Sequence, residues 1–361
     1  MTTDGKFAII PQGAETFTTV YASTVFLPLP DAGKAHESPA AMPRREHPAP
    51  PLLFLLGPTA VGKTDLALAL AEELGCEIVG VDSMQIYRHL DIGTAKPSLV
   101  ERGRVPHHLI DYVGPDEDFS AARFVADCQT AIGQIRARGR IPLLAGGTGL
   151  YFKAWEQGLL TMVEIPPPVR QGLREELAAR GREELHRELA AQDPESAARI
   201  HVNDTHRLLR ALEIIRATGQ SWSRLLAAHQ AEKLARGGER ILKIGLRRER
   251  DDLYRRIETR VEGMLKAGLL TEVENLLQMG YTGKLRPMQS LGYRHMLAFL
   301  AGELDWRETG ETLARDTRRY AKRQLTWFGA ETGICWFHPR QEAEIKALAA
   351  AFLDQGLNGS L

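Results

Sequence analysis

One stretch constrains this chain more than any other: residues 52–64, Leu-Leu-Phe-Leu-Leu-Gly-Pro-Thr-Ala-Val-Gly-Lys-Thr. The apolar run reads as a buried strand and the glycines as a tight turn. A helix then continues over Asp65–Glu73 until Gly75 can terminate it. Gly57, Gly62, Lys63 and Thr64 stand at the phosphate-loop spacing G-x-x-x-x-G-K-[ST]. The backbone from Gly57 through Pro58, Thr59, Ala60 and Val61 to Gly62 can curl around an anion, with the positive end of the following helix aimed at the same point. Lys63 adds a charge, and the Thr64 hydroxyl can hold Mg2+. A plain strand-to-helix turn is the alternative reading, and the motif leaves open which phosphate compound would bind.

The segments downstream predict a mostly parallel α/β sheet with a helical insertion. Glu77–Val81 reads as a second strand that delivers Asp82-Ser83-Met84-Gln85 to the carboxyl edge, where open α/β sheets bind ligands. A carboxylate there serves as metal ligand, general base or helix cap. Val105–Asp111 reads as a third strand carrying His107 and His108, whose side chains should point to opposite faces, against a shared metal. A helix over Ser120–Arg138 and a strand over Ile141–Ala145 lead to Gly146-Gly147-Thr148-Gly149, a third turn at the same edge.

Pro166-Pro167-Pro168 marks a boundary, and residues 169–238 show only helical periodicity. Within that block the helix over Asp204–Thr218 turns Leu208, Leu212 and Ile215 inward, with His206, Arg207 and Arg210 facing elsewhere. Ile241–Leu246 restores a strand, so the block reads as an all-helical domain inserted over 166–238, between core segments 51–165 and 239–361. Arg256 and Arg260 lie one turn apart on the next helix and can reach a common anion. Asp305–Phe328 is the longest predicted helix, and its Arg315, Arg318, Arg319, Lys322 and Arg323 form one basic stripe read as lacking interleaved acids. Such a stripe suits a polyanion. An edge strand over Gly333–His338 and a last helix follow.

Composition limits the rest. With 361 residues, 43% hydrophobic, the chain can bury one large core or two smaller ones. Lys plus Arg and Asp plus Glu both number 46, so attraction to nucleic acid must come from local clustering. Cys76, Cys128 and Cys335 are scattered, against a disulfide framework and in keeping with a reducing cytoplasm. No apolar run approaches membrane-spanning length. Residues 1–50, rich in Thr, Ala and Pro, read as a disordered tail or a misassigned start, with Met42 an alternative beginning.

Five strings in order together resemble the tRNA dimethylallyltransferases: 57–64 above, Asp-Ser-Met-Gln-Ile-Tyr-Arg at 82–88, Asp-Ile-Gly-Thr-Ala-Lys-Pro at 91–97, Gly-Gly-Thr-Gly-Leu-Tyr at 146–151, and Tyr-Ala-Lys-Arg-Gln-Leu-Thr-Trp-Phe at 320–328. The resemblance implies transfer of a dimethylallyl group from its diphosphate to the exocyclic amine of the adenosine 3′ of the anticodon, in tRNAs reading codons that begin with U. It implies Asp82 as base, Thr148 as a positioning group, Arg260 as support for the diphosphate, and Mg2+ as cofactor. It also implies contacts to the anticodon stem-loop from Asp82, Ser83, Met84, Gln85, Thr148, Arg170, His206, Arg207, Leu208, Leu209 and Arg210. Gln289, Ser290, Leu291, Gly292, Tyr293, Arg294, Arg319, Lys322 and Arg323 complete that set. A bacterial-type member is implied, because the paired cysteines and histidines of the eukaryotic zinc finger are missing after residue 340; a monomer in the cytoplasm is expected. Rival readings are a phosphate-loop kinase for a nucleotide or small metabolite, a prenyltransferase acting on free adenylate, and a non-catalytic RNA-binding module. The kinase and the free-adenylate enzyme leave the basic stripe without a use, and the third leaves the phosphate loop idle.

Overall fold

The computed structural model describes residues 50–157, 165–235 and 239–355; the predicted tail lies outside them. The chain runs β1 (Pro51–Leu56), α1 (Lys63–Leu74), β2 (Cys76–Val81), α2 (Leu99–Arg104), β3 (His107–His108), α3 (Ala121–Ala137), β4 (Ile141–Gly146) and α4 (Gly149–Gln157). Four helices follow: α5 (Pro167–Gln192), α6 (Pro194–Arg199), α7 (Thr205–Thr218) and α8 (Trp222–Ala235). Then come β5 (Arg240–Leu246), α9 (Arg250–Lys266), α10 (Leu269–Gln278), α11 (Tyr293–Leu300), α12 (Trp306–Gly329), β6 (Ile334–Phe337) and α13 (Glu342–Asp354).

The six strands form one parallel sheet in the order β3-β2-β4-β1-β5-β6. Strand alternation splits β1 between two cores. Leu52, Phe54 and Leu56 join Val79, Val81 and Leu144 on one face, while Leu53 and Leu55 join Ile78, Leu143 and Ile244 on the other. Both faces are covered, as a parallel sheet requires. Phe124 and Met296 are among the residues closing the first face, and Leu66, Ile257 and Ile345 among those closing the second. Each fully buried side chain of this size contributes about 2 kcal/mol.

The third strand is far shorter than the sequence predicts. Only His107 and His108 pair with β2, because Leu109 and Asp111 take left-handed backbone angles (φ 58° and 61°) that end the extended run. His108 turns to the buried Glu77, which Arg138 also clamps, and the His107 Nδ1 lies 2.8 Å from the Val105 carbonyl. Among the described residues no cluster of ligands could hold a metal without other groups.

Helices α5 to α7 enclose their own small core of Leu173, Leu185, Leu189, Leu208 and Leu212. Gly181 (φ 77°) breaks α5, which leaves α12 the longest unbroken helix. Residues 91–93 are held on the outside of the sheet by Glu272 of α10, whose carboxylate accepts three consecutive amide N–H groups and the Tyr293 hydroxyl. Glu272→Ala should lower the unfolding free energy by about 2 kcal/mol, since these donors lose their acceptor. A urea titration checks this, and an unchanged midpoint would contradict it.

Candidate active site

Three strand-to-helix turns meet at the carboxyl edge, as the sequence predicts, and line one crevice of about 700 Å³. The first is the phosphate loop. Gly57 is required there because a Cβ would come within 2.8 Å of the Leu246 carbonyl, and Gly62 because its φ is +109°. No side chain caps α1, so the first amide groups of that helix stay available to an anion. Lys63 folds back onto the loop, its Nζ donating to the carbonyls of Gly57 (3.0 Å) and Pro58 (2.7 Å). Burial and the nearby Arg260 lower its pKa to about 7, with Asp82 pulling the other way.

Helix α9 and the segment just before it brace this loop with arginines. Arg248 Nε donates to the Val61 carbonyl (2.8 Å), Arg256 Nε to the Ala60 carbonyl (2.9 Å), and Arg260 Nη1 to Thr59 Oγ1 (3.3 Å). The predicted pair Arg256 and Arg260 therefore both reach the cradle, and Arg248 is an addition the sequence reading missed. Burial and the adjacent Arg256 depress the Arg260 pKa, with Asp65 and Asp82 opposing. Such a site favours a multiply charged anion, which would relieve the repulsion between cations. The Thr64 hydroxyl has no hydrogen-bond partner among the described residues and faces the crevice.

At the second turn Asp82 Oδ1 accepts the amide N–H of Met84 (2.9 Å) and of Gln85 (3.3 Å), so the carboxylate caps its own turn. Capping engages one oxygen, and the side chain still lines the crevice opposite Lys63, Thr64 and Arg260. At the third turn Thr148 stands behind the site: its Oγ1 accepts the Ser83 N–H (3.1 Å), and it does not line the crevice. Its contact with the site is thus indirect, through the Asp82 turn.

Gln324 of α12 joins the first and third turns. Its Oε1 accepts the Thr59 N–H (2.9 Å), its Nε2 donates to the Gly147 carbonyl (2.8 Å), and the side chain is buried. The sequence held a signal for it, since Gln324 falls on the helix face of Ala321 and Phe328, both buried.

The residues expected to touch RNA divide into groups. Ser83, Met84, Gln85, Gln289, Ser290, Leu291, Arg294 and Arg323 line the crevice with Asp82. His206, Arg207 and Arg170 are exposed on the inserted helices, while Leu209 and Arg210 are half-buried, Arg210 beside Glu213. Three expectations fail: Leu208 is fully buried in the helical core, and Gly292 and Tyr293 are buried beneath residues 91–93. The aromatic pair closing α12 also splits, with Phe328 in the core.

The basic stripe needs correction too. Asp316, unnoticed in the sequence, accepts from Arg294 (2.6 Å) and lies 3.4–3.5 Å from Arg319 and Arg315. Arg318 turns away to Glu258 (2.8 Å). Lys322 and Arg323 are left exposed without an acidic partner among the described residues, Arg323 over the Tyr320 ring.

Comparison with known proteins finds similar chains over most of this one. The family model described as IPP transferase matches residues 85–331, and one described as isopentenyl transferase matches 51–104. The chain is 49% identical over 304 residues to a tRNA dimethylallyltransferase 2 of Syntrophus aciditrophicus, covering 84% of this chain and 97% of that protein. It is 51% identical over 307 residues to a tRNA dimethylallyltransferase of Halorhodospira halophila, covering 84% and 98%. Among solved structures, the full-length tRNA isopentenylpyrophosphate transferase of Bacillus halodurans superposes with a TM-score of 0.62 at 38% identity, over 85% of this chain and 98% of that one. A eukaryotic dimethylallyltransferase captured acting on tRNA gives 0.66 at 27% identity, over 84% and 78%.

The Lys63 shift gives a signed expectation. A lysine whose pKa falls on folding imposes its full burial cost below pH about 7, and the cost disappears as pH rises toward the unfolded value of 10.5. Wild-type stability should therefore rise between pH 7 and 10 relative to Lys63→Met, measured by urea unfolding at several pH values; a constant difference would contradict the shift. Separately, Gln324→Leu should weaken inorganic diphosphate binding roughly tenfold by releasing the Thr59 amide. Calorimetric titration reads this, and equal affinities would refute the bridge.

Proposed function

The chain belongs to the tRNA dimethylallyltransferase family, and from that premise we propose that it moves the dimethylallyl group of dimethylallyl diphosphate to the exocyclic N6 amine of the adenosine 3′ of the anticodon. The observation that carries the reading is the placing of Asp82 on the wall of the crevice that also holds Lys63, Thr64 and Arg260. An anion cradle and a carboxylate share one space, which suits displacement of a diphosphate by an amine.

The cradle binds the diphosphate, with the Arg260 guanidinium and the Lys63 ammonium compensating charge as the allylic C–O bond breaks. On this reading the N6–C bond forms while Asp82 removes one amine proton. The residues present fit Mg2+: the free Thr64 hydroxyl at the cradle is a hard oxygen donor, and a small hard cation completes its shell with water and phosphate oxygens. When bound, such an ion would neutralise charge developing on the leaving diphosphate.

The adenine must leave its stack to reach Asp82, so the RNA would lie over the crevice mouth marked by Met84, Ser290, Arg294 and Arg323. Lys322, one residue along, extends that rim. In this reading 51–165 and 239–361 form the catalytic core, and 166–238 grip the anticodon stem through Arg170, His206 and Arg207 in a monomeric, cytoplasmic enzyme. No helix among the described residues is long and apolar enough to cross a membrane.

Incubation with dimethylallyl diphosphate, Mg2+ and unmodified tRNA should add one five-carbon group to a single adenosine, read by mass spectrometry. Transfer of phosphate from ATP instead would favour the kinase reading. Asp82→Ala should retain tRNA affinity and lose most single-turnover rate, and an unchanged rate would remove Asp82 as the base. Lys322→Ala should reduce the slope of log affinity against log salt by about one, because one phosphate contact is lost. An unchanged slope would place Lys322 off the RNA.

A further inference from the structure

The string Asp-Ile-Gly-Thr-Ala-Lys-Pro at 91–97 has no role in the chemistry above, yet the fold supports it heavily. Glu272 accepts the amides of Asp91, Ile92 and Gly93 at 2.7–3.1 Å. The Lys96 side chain is 1% exposed and reaches Asp91 (2.6 Å), Asp111 (2.8 Å) and the Tyr87 carbonyl (2.7 Å). Ala95 sits at φ +50°, a conformation a residue with a Cβ adopts at a cost of about 1–3 kcal/mol.

What this turn presents to Gln85 is a pair of carbonyls. Those of Thr94 and Ala95 lie 3.1 and 3.0 Å from Gln85 Nε2. Two carbonyl acceptors can be satisfied only by the NH2 end of a carboxamide, so both of its hydrogens are engaged and the amide cannot flip. Gln85 lines the crevice, and its Oε1 has no partner among the described residues. Gln85 also shares a turn with Asp82, which accepts its backbone N–H. The crevice therefore holds a fixed, neutral acceptor beside a carboxylate.

We propose that Gln85 is a specificity-determining residue: its Oε1 accepts the second hydrogen of the acceptor adenine's exocyclic amine, the one that Asp82 does not remove. The inference rests on the prenyl-transfer reading above. The amine starts with two hydrogens. One leaves to Asp82 as the N–C bond forms and the diphosphate departs, and the other remains on nitrogen, held by Gln85 throughout. A base that offers no donor at that position leaves the Gln85 oxygen desolvated and unpaired, and is rejected. The 91–97 turn then acts through Gln85, fixing which end of its amide faces the base.

The test compares two anticodon stem-loops, one with adenosine and one with purine riboside, which lacks the amine, at the acceptor position. Their dissociation constants are measured for the wild type, Gln85→Met and Gln85→Leu. The wild type should prefer adenosine, and both variants should cut that preference roughly five- to tenfold, with inorganic diphosphate affinity unchanged. A preference that survives in the variants overturns the assignment, as does an equal loss of affinity for both loops, which would make Gln85 a general RNA contact. Prenylation of the adenosine loop by the wild type is scored in parallel. If it fails, the functional reading itself falls; if it succeeds and the variants keep the preference, only the Gln85 assignment falls.

Discussion

The site depends on one buried carboxamide. Gln324 takes the Thr59 amide with its oxygen and gives its nitrogen to the Gly147 carbonyl, which fixes the spacing between the anion cradle and the glycine turn. The adjacent Thr148 then accepts from Ser83, beside the carboxylate. Cradle and Asp82 are thus joined by hydrogen bonds through α12, although they leave the sheet from β1 and β2, strands that β4 separates. A displacement chemistry needs that distance held, and a parallel sheet alone leaves its loops to find their own positions.

The same helix shows why basic residues on one face are a weak signal until their neighbours are known. The sequence shows five cations on α12, yet Asp316 draws two of them and Arg294 together, and Glu258 takes a third. What remains for a polyanion is the end nearest the crevice, where Lys322 and Arg323 stand without acids. The arginines that matter for the cradle come instead from α9 and the segment just before it, pressed against backbone carbonyls of the loop.

Much of this was legible in advance. The loop over 57–64, the strands read over 52–56, 77–81, 141–145 and 241–246, each within a residue of the structure's bounds, and the convergence of three turns follow from apolar runs punctuated by glycine, because a strand buried on both faces has few other ways to be written. What escaped the reading depends on partners distant in sequence. Tyr293 reads as an RNA contact until Glu272 takes its hydroxyl, and Leu208 until α5 packs over it. The third strand stops at two residues because Leu109 and Asp111 adopt left-handed angles that no local pattern announces. Gln324 was visible only as a polar residue on an apolar face, without the two backbone groups that explain it.

The resting posture of Lys63 has a consequence for selectivity among ions. Its ammonium donates to two carbonyls of the loop. An arriving oxyanion must draw the lysine away from those partners. A species of low charge gains little more from that exchange than the lysine gives up, whereas a diphosphate engages Lys63, Arg260 and the α1 amides together. The two carbonyls thereby act as a built-in competitor for the lysine, which sets a threshold of charge that an anion must exceed to engage it.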